Sequence, residues 1–348
     1  MRPNRAPGRV AGCGRYHCRM SFFAVLLALV IEQLRPLPQG NPVHEGLIAW
    51  SRWTGFNFDA GREHHAWVVW TVTVFVPALL VGLVHWALDS YSSILSLAWD
   101  LVVLYMTLGF RQFSHYFTDI RDALEQGQEE RARELLRAWR NLDASELPRT
   151  ELLRHVIEHA LLAAHRHVFG VFFWFVLGSA LGLGPVGAVI YRMAEFCARY
   201  WAYKSRTLSA PTNERLMLRA QQAFALIDHV PARLTAAGFA VVGNFEEAVD
   251  CWRHHAGLWK HSNDGILLAS AAGAVGLALG GTHAPELMPN RSRGFDAGAL
   301  PDEAGAEGST PGAAPQLAHL RAVVGLVWRS VVLWMLLLAL LSLANLLA

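Results

Sequence analysis

Charge is scarce in this chain, and lysine is nearly absent. Charged residues occupy 17% of the 348 positions, where a soluble domain carries about 25%. The only lysines are Lys204 and Lys260, preceded by Tyr203 and Trp259. A phosphate-cradling loop of the G-x-x-x-x-G-K-[ST] kind needs Gly before its Lys, so no such loop exists here. The net charge of +2 is too small to point to a nucleic-acid partner. Four cysteines, Cys13, Cys18, Cys197 and Cys251, are scattered with no C-x-x-C pair. That removes the sequence basis for a disulfide framework or a zinc knuckle.

Apolar surface takes the place of charge. Hydrophobic residues make up 53% of the chain, and the mean hydropathy is +0.26. Apolar runs at 20–34, 66–88, 91–110, 168–190 and 323–347 approach the roughly 20 residues that cross a bilayer. Trp67, Trp70, Trp86, Tyr91, Trp328 and Trp334 lie mostly near the ends of these runs, where amphipathic rings anchor at the membrane interface. The expected fold is all-α, a polytopic integral membrane helical protein with a helical polar insert, and membrane lipid is its first partner.

The pattern divides the chain into six parts. Residues 1–19 form a basic extension, and Met20-Ser21-Phe22-Phe23 reads as a natural start, so the extension need not be translated. Residues 20–110 hold membrane helices one to three. Residues 111–167 form the polar insert, with an amphipathic helix over 117–140 that buries Ile120, Leu124, Leu135, Leu136 and Trp139. A second insert helix over 150–166 spaces Leu153, Ile157 and Leu161 by four. Residues 168–281 hold membrane helix four, which Gly178, Gly182, Gly184 and Pro185 can break into a pair, and the Ala- and Gly-rich runs 231–243 and 264–281, read as packed or re-entrant. Residues 282–320, with five prolines and no apolar period, read as a flexible linker. Residues 321–348 form the last membrane helix. Basic residues Arg192, Arg199, Lys204, Arg206, Arg215 and Arg219 follow the fourth run with few acids, the pattern of a cytoplasmic flank.

Few local motifs carry chemistry. His155-Val156-Ile157-Glu158-His159 matches H-x-x-E-H, which puts two His on one helix face with Glu as a base. It lacks a third ligand, so a polar helix face is the better reading, and no metal site is assigned. Asp100 lies inside an apolar run, where an ionisable side chain demands a partner or a function. The pairs His64-His65 and His254-His255 point their rings in different directions and make poor chelators.

Several segments, in order, resemble the CobD/CbiB family of bacterial membrane proteins of cobalamin biosynthesis and its shorter relative AmpE. The run 21–34 resembles their first helix, and Asn41-Pro42-Val43 with Gly46 the H-P-V…G stretch after it. Arg111, His115, Ala123-Leu124, Gly127 and Ala132-Arg133-Glu134-Leu135-Leu136 are similar to the family's polar helix. Phe172-Phe173-Trp174-Phe175 resembles P-L-F-W-F, and Val230-Pro231-Ala232-Arg233-Leu234 matches I-P-A-R-L. His261-Ser262-Asn263-Asp264-Gly265 resembles H-x-S-P-N-x-G, followed by a glycine-rich run to Gly281.

The resemblance implies an inner-membrane, multi-pass enzyme that condenses cobyric acid with an aminopropanol derivative, and it carries catalytic roles onto Glu158, His261 and Asn263. It implies a corrinoid substrate and leaves any cofactor unassigned. The departures are as informative. Leu162, Ala163 and Arg166 stand where the family has Glu, Asn and Asp. Glu195-Phe196-Cys197-Ala198 stands for N-T-L-D, Ala223-Phe224-Ala225 for L-D-D, and Asp228 for Asn. Losing these acids leads to the expectation of a divergent member with a sensory or interaction role and a signalling partner protein. The amide-forming synthase is the alternative.

Overall fold

The computed structural model describes residues 22–32, 34, 42–58, 63–108, 110–140, 147–206, 214–281 and 308–347. The 1–19 extension, Asn41 and most of the 282–320 linker lie outside the described residues. Apart from two isolated backbone bridges, the described residues form helices and their connections, and the chain is a polytopic all-α membrane protein.

In chain order the helices are α1 (Phe22–Glu32), α2 (Pro42–Phe58), α3 (Glu63–Tyr91), α4 (Ser93–Thr107), α5 (Phe110–Glu125), α6 (Glu129–Arg140), α7 (Arg149–Ala164), α8 (Gly170–Ala180), α9 (Val186–Arg206), α10 (Glu214–Ile227), α11 (His229–Val242), α12 (Phe245–His255), α13 (Ser262–Val275) and α14 (Leu317–Leu347). Among the described residues, three helical stretches are long and apolar enough to cross a membrane: His65–Tyr91, Arg149–Ala180 and Leu317–Ala344. The bent pair α10–α11 makes a fourth if it counts as one span.

α3 and α14 turn rows of aliphatic side chains outward, Leu79, Leu80 and Leu83 on one and Val332, Leu336, Leu337 and Leu340 on the other. Lipid is the solvent that suits such faces. The third span differs. Its apolar window is 78% buried inside the protein, against 28% and 33% for the other two, so it is the central helix around which the rest packs. One core surrounds it with α11, α13 and α14, and a second lies between α2, α3, α9 and α10.

Several elements differ from the sequence pattern. The 150–166 helix is the first half of that central span and runs without a break through residues 165–169 into α8. Its buried Arg, Glu and His residues lower its hydropathy and disguise it as polar insert. The 168–190 run ends at Ala180 and resumes at Val186, because Gly182 (φ +74°) and Gly184 (φ +58°) take left-handed conformations open to glycine. The 117–140 helix is two helices, turned at Gly127 (φ +74°). The run 91–110 gives only a 15-residue helix, α4, tied to α3 by polar contacts. Asp100 meets His85 Nδ1 at 2.7 Å, Ser96 donates to Asp89 at 3.0 Å, and the Trp99 indole donates to the Val81 carbonyl at 3.2 Å.

α8 and α9 pack backbone to backbone. A Cβ on Gly178 would lie 2.9 Å from the Gly184 carbonyl oxygen, and one on Gly187 would collide with the Trp174 carbonyl. Small residues permit such close approach between membrane helices. Gly187→Ala is therefore expected to destabilise the protein by about 1–3 kcal/mol through overpacking. The thermal unfolding midpoint of the detergent-purified variant measures this, and an unchanged midpoint would contradict the packing.

Candidate active site

The central helix carries Arg154, His155, Glu158, His159, His165, Arg166 and His167, all buried. Charges at this depth need partners, and the helix reaches two of its most important ones by a local change of winding. Residues His165–Phe169 form a π-helical turn, a wider turn found mostly at functional sites. The ring of His165 meets Thr235 Oγ1 at 3.0 Å through Nδ1 and Asp228 Oδ1 at 2.8 Å through Nε2. The Arg166 guanidinium donates to both oxygens of Asp264, at 2.9 and 2.8 Å.

Asp228 stands at the 50° bend between α10 and α11. A bend frees backbone carbonyls, and here side chains take them up: Asn263 Nδ2 donates to the Ala225 oxygen at 2.9 Å, and Trp174 Nε1 to the Ile227 oxygen at 3.2 Å. Pro231 falls in the first turn of α11, where its missing N–H costs nothing. The Tyr191 hydroxyl also donates to Asp228 Oδ1, at 2.8 Å. It reaches that far because Gly170 leaves room for the Tyr191 ring, where any Cβ would collide. Burial, then the neighbouring Asp228 charge, pushes the Tyr191 phenol well above its usual range, so it stays a donor.

Arg166, Asp228, Asn263 and Asp264 help to wall a cavity of about 270 Å³ between α9, the α10–α11 bend and the N-terminus of α13. Its polar lining mixes Arg166, Arg199 and Lys260 with Glu195, Asp228 and Asp264. Glu195 is buried against Arg199, which engages both its oxygens, and against Arg192 at 2.9 Å. Burial alone would push its carboxyl up, but Arg199 and Arg192 outweigh that and hold it below the usual carboxylate range.

Of the residues proposed from sequence, His261 and Asn263 lie on this cavity wall, and Glu158 does not line it. Glu158 accepts from the Gly280 N–H at 2.8 Å, while Arg154, 3.7 Å from Glu158, donates to the Gly280 carbonyl at 2.6 Å. The pair grips the Gly280 peptide from both sides. His159 packs edge-on against Trp139, with centroids 4.3 Å apart.

Of the eleven positions that depart from the family pattern, six, namely Arg166, Glu195, Ala198, Phe224, Ala225 and Asp228, line this cavity, while Leu162, Ala163, Phe196, Cys197 and Ala223 do not. Sequence reading missed the cavity roles of Arg166, Arg199, Lys260 and Asp264. The available signal was Arg166 and Asp264, opposite charges beside apolar runs.

The CobD/Cbib protein family model matches residues 22–287. The chain is 30% identical over 323 residues to the cobalamin biosynthesis protein CobD of Stutzerimonas stutzeri (strain A1501), covering 91% of this chain and 96% of that one. It is 32% identical over 202 residues to CobD of Chromobacterium violaceum, covering 57% of this chain and 60% of the relative. CobD of Leptospira interrogans is 24% identical over 281 residues, 75% and 81% of the two chains. No solved structure matches.

Glu195 generates a pH prediction. Its carboxyl is held lower in the folded protein than in the unfolded chain, so its stabilisation is complete above the unfolded value and is lost as pH falls through the folded one. Glu195→Gln leaves Arg192 and Arg199 without their buried counter-charge, expected to cost about 3–5 kcal/mol at neutral pH. The variant's unfolding midpoint should then fall less steeply than the wild type's below the ordinary carboxylate range. Parallel acid limbs in a pH series of melts would refute this.

Proposed function

The chain belongs to the CobD/CbiB family, and from that premise we propose that it forms an amide in cobalamin biosynthesis, joining cobyric acid to an aminopropanol derivative at a bacterial inner membrane. The observation that carries the reading is the cavity's mixed charge. Amide formation brings an anionic carboxyl arm to a cationic ammonium, and a cavity walled by both signs suits both reactants. Arg199 and Lys260 are the groups to hold the carboxylate arm and, once a phosphoryl donor has activated that carboxyl, the oxyanion that develops as the amine, having given up a proton, adds and the phosphate leaves. A volume of about 270 Å³ accepts a small amino alcohol and one carboxyl arm. The corrin macrocycle then rests across the mouth, beside the membrane flank that carries Arg192, Arg199 and Lys204.

The relatives' name, cobalamin biosynthesis protein, supports this reading over a sensory or interaction role for a divergent member. The missing family acids favoured that role, but Glu195, Asp228 and Asp264 still place three carboxylates on the cavity wall.

Complementation of a bacterial strain lacking the synthase decides between the two. The wild-type gene is expected to restore cobalamin-dependent growth, and Arg199→Ala with Lys260→Ala to reduce cobinamide formation by roughly a hundredfold, about 2.7 kcal/mol of transition-state stabilisation. A membrane-inserted wild-type protein that restores nothing would hand the case to the sensory reading.

A further inference from the structure

The cavity wall holds three carboxylates that differ in how far they are committed. Arg166 occupies both oxygens of Asp264. Arg199 engages both oxygens of Glu195, with Arg192 adding a third contact. Among the described residues, no arginine bonds to Asp228. Its Oδ1 takes both strong donors, His165 Nε2 and the Tyr191 hydroxyl, each at 2.8 Å. Its Oδ2 has a single contact, Asn263 Nδ2 at 3.4 Å, beyond the 2.7–3.2 Å of a good N–H···O bond.

We infer that Asp228 is the carboxylate that receives the ammonium group of the amine substrate, with His165 and Tyr191 as positioning residues. This rests on the amide-forming reading of the cavity. A carboxylate offers about four acceptor sites. Two on Oδ1 are spent on fixing its plane, because His165 is itself held at Nδ1 by Thr235 and keeps Nε2 on Asp228. The orientation this imposes turns Oδ2 toward Asn263, which lines the cavity.

The Asn263 amide marks where a donor sits on Oδ2, and it is a replaceable donor. The same nitrogen already donates to the Ala225 carbonyl at 2.9 Å, so it keeps a partner when the longer contact is displaced. An ammonium makes a charge-assisted bond about twice as strong as a neutral one. With Asp228 only 1% exposed, little water competes for the pair. The neutral hydroxyl end of the amino alcohol gains nothing comparable there, so the carboxylate sets which end of the substrate enters first.

The test compares an amine with its neutral counterpart on the full-length protein in detergent. Equilibrium dialysis measures 1-aminopropan-2-ol and propane-1,2-diol against wild type and Asp228→Asn. The asparagine keeps the shape and the Oδ1 acceptor but presents a donor to the cavity. Wild type should prefer the amine, and Asp228→Asn should lose about tenfold or more in amine affinity with the diol unchanged. A preference that survives in Asp228→Asn overturns the inference, as does a wild type without preference.

Should Asp228→Asn fail to fold, Asn263→Ala decides: it removes the replaceable donor and the bond to the Ala225 carbonyl, the latter a change that bears on amine and diol alike. The ratio of amine to diol affinity should then be at least that of wild type, and a tenfold fall in it would make Asn263 the ligand instead. Amine preference in a protein that fails complementation would sink the proposed reaction and leave the amine site standing.

Discussion

Everything in this molecule is arranged around charges that a membrane helix has carried inward. The stretch Arg149–Ala180 qualifies as a span by its apolar residues, yet it buries two arginines, a glutamate and four histidines. Ions of that kind are costly away from water unless paired, and the helix cannot pair them all along its own length. The partners come from elsewhere: Asp228 from the α10–α11 bend, Asp264 from the first turn of α13, and the Gly280 peptide from beyond α13. Satisfying the central helix thus dictates where the other elements must stop, bend and return.

The π-helical turn is where structure and chemistry join. It sets the consecutive residues His165 and Arg166 onto two different carboxylates, one at the bend and one on α13. The Asp228 network then runs through Tyr191 on α9, which Gly170, the first residue after the turn, makes room for. Four helices meet at one cavity because a single turn of the fifth is wound more loosely. Glu195, Arg192 and Arg199 close the side toward the basic flank of α9.

The outer spans were the legible part of the sequence. α3 and α14 are unbroken apolar runs with aromatic residues near their ends, and hydropathy alone finds them. The central span was not, since the same buried ions that make it important subtract from its hydropathy. Its partners are also remote along the chain, 63 residues away for Asp228, 98 for Asp264 and 126 for Gly280. Pairing over such separations leaves no periodic trace. Motif matching recovered His261 and Asn263 at the cavity. It also pointed to Glu158, which lies off the cavity wall and bonds to the Gly280 N–H, since a carboxylate bonded to a glycine turn looks the same in sequence as one facing a cavity. Six of the eleven positions that seemed to have lost their chemistry, read singly, lie on one cavity in space.

The turn held by Glu158 and Arg154 has a consequence for how the chain tolerates change. Residues 277–281 bond to 309–313, with Ala278 N–H on the Ala313 oxygen and Thr310 N–H on the Leu279 oxygen, each at 2.9 Å. The chain therefore leaves this part of the molecule and re-enters it at one place. α14 starts from a point that these bonds fix, a few residues after Ala313, and so keeps its seat against the central helix whatever the sequence between Gly281 and Gly308.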